Sequence, residues 1–125
     1  MTKKALIIDD NEFVRDTLKN MLEFLGFEVT MAEDGKRGLE IFTSHIISKN
    51  FFDVVFVDLI MPGLSGKEVM EELRKIDPNV NALISSGYFN DPMIAEYEKL
   101  GFKGILNKPY TLDELKEILQ RLNII

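Results

Sequence analysis

The stretch from residue 54 to residue 63, Val-Val-Phe-Val-Asp-Leu-Ile-Met-Pro-Gly, decides the fold of this chain. Its first four residues are apolar and mostly β-branched, which is typical of a strand buried on both faces of a parallel sheet. The run ends at Asp58, and Pro62-Gly63 then predict a loop. Open α/β sheets bind ligands at the carboxyl ends of their strands, and this order places Asp58 at such an end.

A second apolar run, residues 5–8, ends in the same way at Asp9 and Asp10. Close carboxylates repel each other by about 4 kcal/mol per pair at an effective dielectric constant of about 20, so they stay ionised together only beside a cation. A chain without cysteine offers no thiolate ligands, and oxygen ligands favour Mg²⁺ or Mn²⁺. We therefore expect a divalent-cation pocket lined by carboxylates.

Composition limits the classes of protein to which the chain can belong. Its 125 residues, 46% of them hydrophobic, suit a single domain over residues 1–125 with a core of its own. No apolar run approaches the roughly 20 residues of a membrane span, and the N-terminus lacks a signal-peptide core. The net charge of −6 disfavours nucleic acid as a partner, and the absence of cysteine favours a cytoplasmic location.

Strand and helix patterns alternate along the whole chain. Each predicted helix begins at a residue or pair suited to a helix N-terminus, namely Asn11, Asp34, Ser65, Asp91-Pro92 and Thr111. The predicted strands are residues 3–9, 27–32, 53–58, 80–85 and 102–106. This alternation predicts a parallel sheet that is covered by helices on both faces.

Every candidate polar residue falls at the end of a predicted strand or just after one: Asp9, Asp10, Asp58, Ser86 and Lys108. The carboxyl ends of parallel strands share one edge, so these side chains could converge there. A carboxylate beside a metal ion can attack a phosphoryl group and form an aspartyl phosphate. The metal, a lysine and a hydroxyl would then stabilise the transferred oxygens.

This arrangement resembles the receiver domain of two-component response regulators over essentially the whole chain. The family is flavodoxin-like (CheY-like), a three-layer α/β/α sandwich with a five-stranded parallel sheet in the order 2-1-3-4-5 and five helices, and the resemblance implies that fold here. The residues that carry the resemblance are Asp9-Asp10, Asp58 with Met61-Pro62-Gly63 and Gly66, Ser86-Gly87, and Lys108-Pro109.

The resemblance also implies a role for each acidic residue. Asp58 matches the phosphoacceptor, and Asp9 and Asp10 match an acidic pair of which Asp10 binds Mg²⁺ directly. The backbone carbonyl of Ile60 matches a further metal ligand. The Lys108-Pro109 peptide bond is usually cis in this family.

Other residues match positions that respond to phosphorylation. Ser86 matches the switch hydroxyl, and Lys108 matches the lysine that pairs with the phosphoryl group. Receivers usually carry an aromatic residue three positions before that lysine, where this chain has Ile105, whose rotamer or packing could change instead. Tyr88 and the side chain of Ile60 flank the predicted site, and we hypothesise that they shield the phosphoryl group from water.

The function implied is that of a stand-alone response regulator, in keeping with Met1 at its start. It accepts a phosphoryl group on Asp58 from a histidine kinase or phosphotransfer protein, and it catalyses only its own phosphorylation and dephosphorylation. Its output passes to a protein target through helix 4, strand 5 and helix 5, as a monomer or as a phosphorylation-dependent dimer. Neither nucleic acid nor membrane is an expected partner.

Two alternatives stay open. A phosphatase of the haloacid dehalogenase type also forms an aspartyl phosphate, but it needs a second aspartate where this chain has Ile60. A pseudo-receiver would bind partners without phosphorylation, although the intact set of acids, serine and lysine argues against an idle pocket. The single histidine, His45, lies on a predicted helix and is expected to be a surface or partly buried residue.

Overall fold

A five-stranded parallel sheet forms the centre of the computed structural model, which describes residues 2–87 and 95–125. The strand order is β2-β1-β3-β4-β5, the order that the resemblance implies. The strands are β1 (Lys3–Ile8), β2 (Phe27–Ala32), β3 (Val54–Asp58), β4 (Ala82–Ser86) and β5 (Gly104–Asn107). Every residue of β3 is buried, as its unbroken apolar run predicts, whereas the alternating sequence of the edge strand β2 leaves it partly exposed.

Five helices lie in the described ranges and cover the two faces of this sheet. They are α1 (Glu12–Phe24), α2 (Gly35–Ile47), α3 (Gly66–Ile76), α4 (Tyr97–Leu100) and α5 (Leu112–Arg121). The structure thus confirms the flavodoxin-like three-layer sandwich. The predicted start of the fourth helix at Asp91-Pro92 lies outside the described residues, but α4 ends at a left-handed Gly101, as the sequence predicts.

Four of these helices begin at the cap residues that the sequence indicates. The side chains of Asn11, Asp34, Ser65 and Thr111 each accept a hydrogen bond from a backbone N–H in the first turn. Such a cap typically contributes about 1 kcal/mol to stability. The caps at Asn11 and Ser65 start α1 and α3 soon after β1 and β3. The loops that follow the acidic residues are therefore short.

The strands divide the core into two apolar clusters because their side chains alternate between the two faces of the sheet. The first cluster packs under α2 and α3 and includes Ile8, Val57 and Ile84. The second cluster packs under α1 and α5 and includes Ile7, Phe56 and Leu83. The sheet is therefore closed to water on both faces, and the carboxyl ends of its strands form the edge at which polar side chains can gather.

Four predicted strands differ from the observed ones in their bounds. The predicted strands 3–9 and 53–58 are each one residue longer than β1 and β3, and the larger differences are at β4 and β5. The sequence predicts strands over residues 80–85 and 102–106, whereas β4 and β5 each begin two residues later and end one residue later. The reason is the ladder between β4 and β5, in which Ser86 pairs with Asn107. Ser86 is therefore the last residue of a buried strand rather than the first residue of a loop.

None of the helices within residues 2–87 and 95–125 is both long enough and apolar enough to cross a membrane.

Candidate functional site

Three carboxylates converge at the carboxyl ends of β1 and β3. Asp9, Asp10 and Asp58 each contribute an oxygen that lies within 4.8 Å of the other two. Asp9 and Asp58 are buried, whereas Asp10 is exposed to solvent. Oxygen ligands that are partly open to water suit Mg²⁺, which keeps several of its own waters. The donor set therefore fits the metal ion that the sequence predicts.

Lys108 reaches this cluster from the loop that follows β5. Its ammonium nitrogen lies 2.9 Å from Oδ2 of Asp9 and 3.4 Å from Oδ1 of Asp58. The side chain of Lys108 is only 21% exposed, so its charge is weakly screened by solvent. The Lys108 ammonium contacts two of the three carboxylates and offsets only part of their negative charge, which leaves the site attractive to a further cation.

Asp9 is held in place by groups on α1 that the sequence argument missed. The backbone N–H of Asn11 donates to Oδ1 of Asp9 at 2.9 Å, so both carboxylate oxygens of Asp9 have a donor. The guanidinium of Arg15 donates to the backbone carbonyl of Asp9 at 2.7 Å. These contacts depend on the angle between α1 and β1, which the sequence does not specify. The only signal in the sequence is that Asp9 and Arg15 are close along the chain.

The environment of Asp58 raises its pKa from 3.8 to about 6. Burial is the largest cause, and the negative charge of Asp9 and a hydrogen bond with Asp10 act in the same direction. The ammonium of Lys108 opposes these effects and lowers the pKa. A bound divalent cation would also favour the ionised form of Asp58.

Ser86 lies beside these groups at the end of β4. It is fully buried, and its backbone carbonyl accepts a hydrogen bond of 2.8 Å from the N–H of Lys108. Because Ser86 also pairs with Asn107, the serine and the lysine are held to each other by the sheet. The Lys108-Pro109 peptide bond is cis, as the resemblance implies.

The loop after β3 forms one wall of the acidic cleft, whose volume is about 870 Å³. Ile60 lies in this wall and is 48% exposed, at the rim. At the start of α3, a Cβ on Gly66 would lie 2.6 Å from the carbonyl oxygen of Asp58 and 2.9 Å from Cα of Leu59. Only glycine therefore lets α3 begin this close to the end of β3 without a shift of the backbone.

Two further residues lie away from the cleft. Ile105 is half-buried in β5 and packs against the first core cluster. His45 lies near the end of α2, where its ring stacks on Phe52 at 4.2 Å and Nδ1 is 2.9 Å from the carbonyl oxygen of Asn50. The partly buried position predicted for His45 is therefore observed, whereas Tyr88 lies outside the described residues.

Comparison with known proteins gives a consistent result. Residues 5–120 match the family model of the response regulator receiver domain. The chain is 32% identical over 123 residues to the chemotaxis protein CheY of Thermotoga maritima, with 98% of this chain and 99% of that protein covered. It is 39% identical over 127 residues to the peroxide stress-activated histidine kinase mak3 of Schizosaccharomyces pombe, and there 95% of this chain matches only 5% of the longer protein.

A solved structure shows the same fold. The response regulator protein TrrA from Thermotoga maritima, in complex with Mg²⁺–BeF, superposes with a TM-score of 0.82 at 29% identity, with 97% of this chain and 99% of that chain covered.

The fold and the position of the acidic cleft define the class of protein, a CheY-like α/β domain whose carboxylate cluster lies at the carboxyl ends of the strands. Within that class, the chain belongs to the family of response regulator receiver domains, the signalling domains of two-component systems.

Proposed function

We propose that this chain accepts a phosphoryl group on Asp58 from a histidine kinase or phosphotransfer protein, in a Mg²⁺-dependent reaction. The observation that carries the proposal is the convergence of two further carboxylates, Asp9 and Asp10, and the Lys108 ammonium around Asp58. The match to CheY of Thermotoga maritima over almost the full length of both chains supports it.

Each site residue would have a distinct role in the reaction. A carboxylate oxygen of Asp58 attacks phosphorus, and its new P–O bond forms as the bond from phosphorus to the donor nitrogen breaks. The electrons of the broken P–N bond stay with the departing imidazole of the phosphohistidine, which takes up a proton from solvent water. Lys108 stabilises the negative charge on the phosphoryl oxygens, and the hydroxyl of Ser86 donates to one of them after a change at the end of β4.

Asp10, Asp58 and the backbone carbonyl of Ile60 would hold the Mg²⁺ ion, with Asp9 in support. When bound, the metal supplies positive charge for the phosphoryl oxygens and offsets the repulsion among the carboxylates. Asp9 orients Lys108, because one of its oxygens accepts from that ammonium and the other from the N–H of Asn11.

The phosphorylated state would differ from the free state through its contacts with Ser86 and Lys108. We infer that Ile105, on the strand next to Ser86, transmits this difference by a change in packing to a protein-binding surface on helix 4, strand 5 and helix 5. Tyr88 and Ile60 would shield the phosphoryl group from water.

Residues 1–125 would act as one stand-alone cytoplasmic signalling domain, either monomeric or dimeric upon phosphorylation, and not as a metabolic enzyme.

The test is incubation with acetyl phosphate and Mg²⁺, followed by intact mass measurement. We expect about 80 Da to be added, the mass of one phosphoryl group. The matched control Asp58→Asn keeps the shape of the side chain and should gain no mass. Addition of the same mass to Asp58→Asn, or no addition to the wild-type protein, would contradict the proposal.

A further inference from the structure

Two buried hydroxyl groups lie close to the acidic site, on the face of the sheet that α1 and α5 cover. Ser85 is two residues beyond Leu83 of the second core cluster and therefore points to the same face. It is buried and pairs in register with Asp58 on β3. Tyr110 follows Lys108-Pro109, and its side chain packs against the second cluster.

Within the described part of the chain, neither hydroxyl takes part in a formed hydrogen bond. Buried hydroxyls are nearly always paired, so two unpaired ones in one place require an explanation. Both hydroxyls lie on the face of the sheet that α1 and α5 cover, where Tyr110 packs against the second cluster. Burial and the charges of Asp9 and Asp58 raise the pKa of Tyr110 to about 12, while the nearby hydroxyl of Ser85 opposes that rise. The two hydroxyls are therefore neighbours, although they do not meet the geometry of a hydrogen bond.

The position of this pair relates it to Lys108. The backbone N–H of Lys108 already donates to the carbonyl of Ser86 at 2.8 Å. A bond from Tyr110 to Ser85 would tie the same loop to the preceding residue of β4. The loop would then be bonded to two consecutive residues of β4, Ser85 and Ser86. One bond would be at the amide of Lys108 and the other at Tyr110, so both would restrict the position of the Lys108 side chain.

We propose that Tyr110 and Ser85 form a hydrogen-bonded pair that positions Lys108 for the phosphoryl group. This hydrogen bond would fix the loop after β5 against the end of β4. Both would be positioning residues, since they would act on the reaction through Lys108. The inference deepens the proposed function and rests on it.

The first experiment is a double-mutant cycle with Tyr110→Phe, Ser85→Ala and the double variant. Phosphorylation by acetyl phosphate is followed as a rate, and Mg²⁺ affinity is measured separately. We expect each single variant to lower the rate about three- to tenfold with Mg²⁺ affinity unchanged, and the double variant to be no slower than either. The control Thr43→Val removes a hydroxyl from a half-buried threonine on α2 and should keep the wild-type rate.

Wild-type rates in both single variants, or losses that multiply in the double variant, would overturn the pairing. The Phe substitution keeps the ring, and circular dichroism with the unfolding midpoint shows whether each variant folds. If the two hydroxyls do not pair, Tyr110→Phe removes a buried unpaired group. It should then raise the unfolding midpoint and leave the phosphorylation rate unchanged, and this result would also overturn the proposed pairing.

A second readout does not depend on phosphorylation. Hydrogen exchange at the Lys108 amide reports the tie to Ser86 directly. We expect faster exchange at this amide in Tyr110→Phe and in Ser85→Ala, with unchanged exchange in the central strand β3. If the wild-type protein accepts no phosphoryl group, the proposed function fails, and this exchange measurement still decides the pairing. Unchanged exchange at Lys108 in both variants would refute it.

Discussion

The ammonium of Lys108 lies 3.4 Å from Oδ1 of Asp58, although fifty positions separate the two residues in the sequence. Strand β4 lies between the strands that carry them, so the lysine side chain crosses the end of β4 to reach the aspartate. The parallel sheet creates this contact, because it brings the ends of β1, β3 and β5 to one edge. The same contact explains why a single lysine can serve both the resting carboxylates and a phosphoryl group.

Replacement of Lys108 by alanine should separate metal binding from phosphoryl transfer. The ammonium competes with a metal ion for the charge of Asp9 and Asp58, so its loss should raise Mg²⁺ affinity roughly three- to tenfold. The rate of phosphorylation by acetyl phosphate should fall about tenfold or more, because a charge that stabilises the transferred oxygens is missing. Calorimetric titration with Mg²⁺ and a rate measurement by intact mass test both effects.

The control is Lys103→Ala, which removes an exposed lysine whose ammonium contacts Asn81 and Asn79 instead. This variant should alter neither the affinity for Mg²⁺ nor the rate of phosphorylation. Weaker Mg²⁺ binding in Lys108→Ala than in this control would contradict the competition between ammonium and metal.

Asp10 should contribute to metal binding and little to the fold. Its carboxylate is exposed, yet it lies within 4.8 Å of the other two. We expect Asp10→Asn to weaken Mg²⁺ binding by roughly tenfold or more, since a neutral amide replaces a charged ligand. The free energy of unfolding without metal should change by less than about 0.5 kcal/mol. Asp16→Asn, an exposed acid on α1, is the matched control and should bind Mg²⁺ like the wild type.

The raised pKa of Asp58 predicts a pH-dependent cost to stability in metal-free protein. With a folded pKa of about 6 against 3.8 in the unfolded chain, the folded state binds more protons between these values. Stability therefore falls as the pH rises through this window, and the cost is fully present above about pH 6. The shift corresponds to at most ~3 kcal/mol, and to less than that because water reaches the cleft.

The variant Asp58→Asn removes this titration, so urea unfolding in the presence of a chelator should show it to be more stable than the wild type at pH 7. The difference in the free energy of unfolding between the variant and the wild type should shrink as the pH falls below 6. If this difference stayed constant between pH 7 and pH 4.5, Asp58 would have an ordinary pKa.

Gly66 should be required for the approach of α3 to β3. A Cβ there meets backbone atoms of Asp58 and Leu59 at 2.6 and 2.9 Å, so we expect Gly66→Ala to lower the free energy of unfolding by about 1–3 kcal/mol. Gly87→Ala is the control, since among the residues that the structure describes its Cβ would meet only Cβ of Lys108 at 3.8 Å, an ordinary contact. Equal urea unfolding midpoints for the two variants would contradict this reading of the loop.

The sequence predicts most of this architecture because each strand and helix carries its own local signal. The apolar run before Asp58 and the caps at Asn11, Ser65 and Thr111 all lie where the pattern places them. The strand boundaries near Ser86 were wrong, because pairing with a neighbouring strand extends β4 beyond its apolar residues.

Other features of the site depend on tertiary structure and leave no local signal. The contact between Arg15 and the carbonyl of Asp9 depends on the angle at which α1 leaves the sheet. The pair of Ser85 and Tyr110 joins residues from two elements, and each alone looks like an ordinary core or loop residue. Such contacts are visible only once the strands are placed side by side.

The most direct test of the central claim is chemical identification of the phosphorylated residue. Protein treated with acetyl phosphate and Mg²⁺ is reduced with borohydride, which converts an acyl phosphate into an alcohol, and is then digested for mass spectrometry. We predict that the peptide containing Asp58 becomes lighter by about 14 Da, as aspartate becomes homoserine, and that omission of Mg²⁺ abolishes the change. Reduction at Asp9 or Asp10 with Asp58 intact would contradict the assignment of Asp58 as the phosphoacceptor.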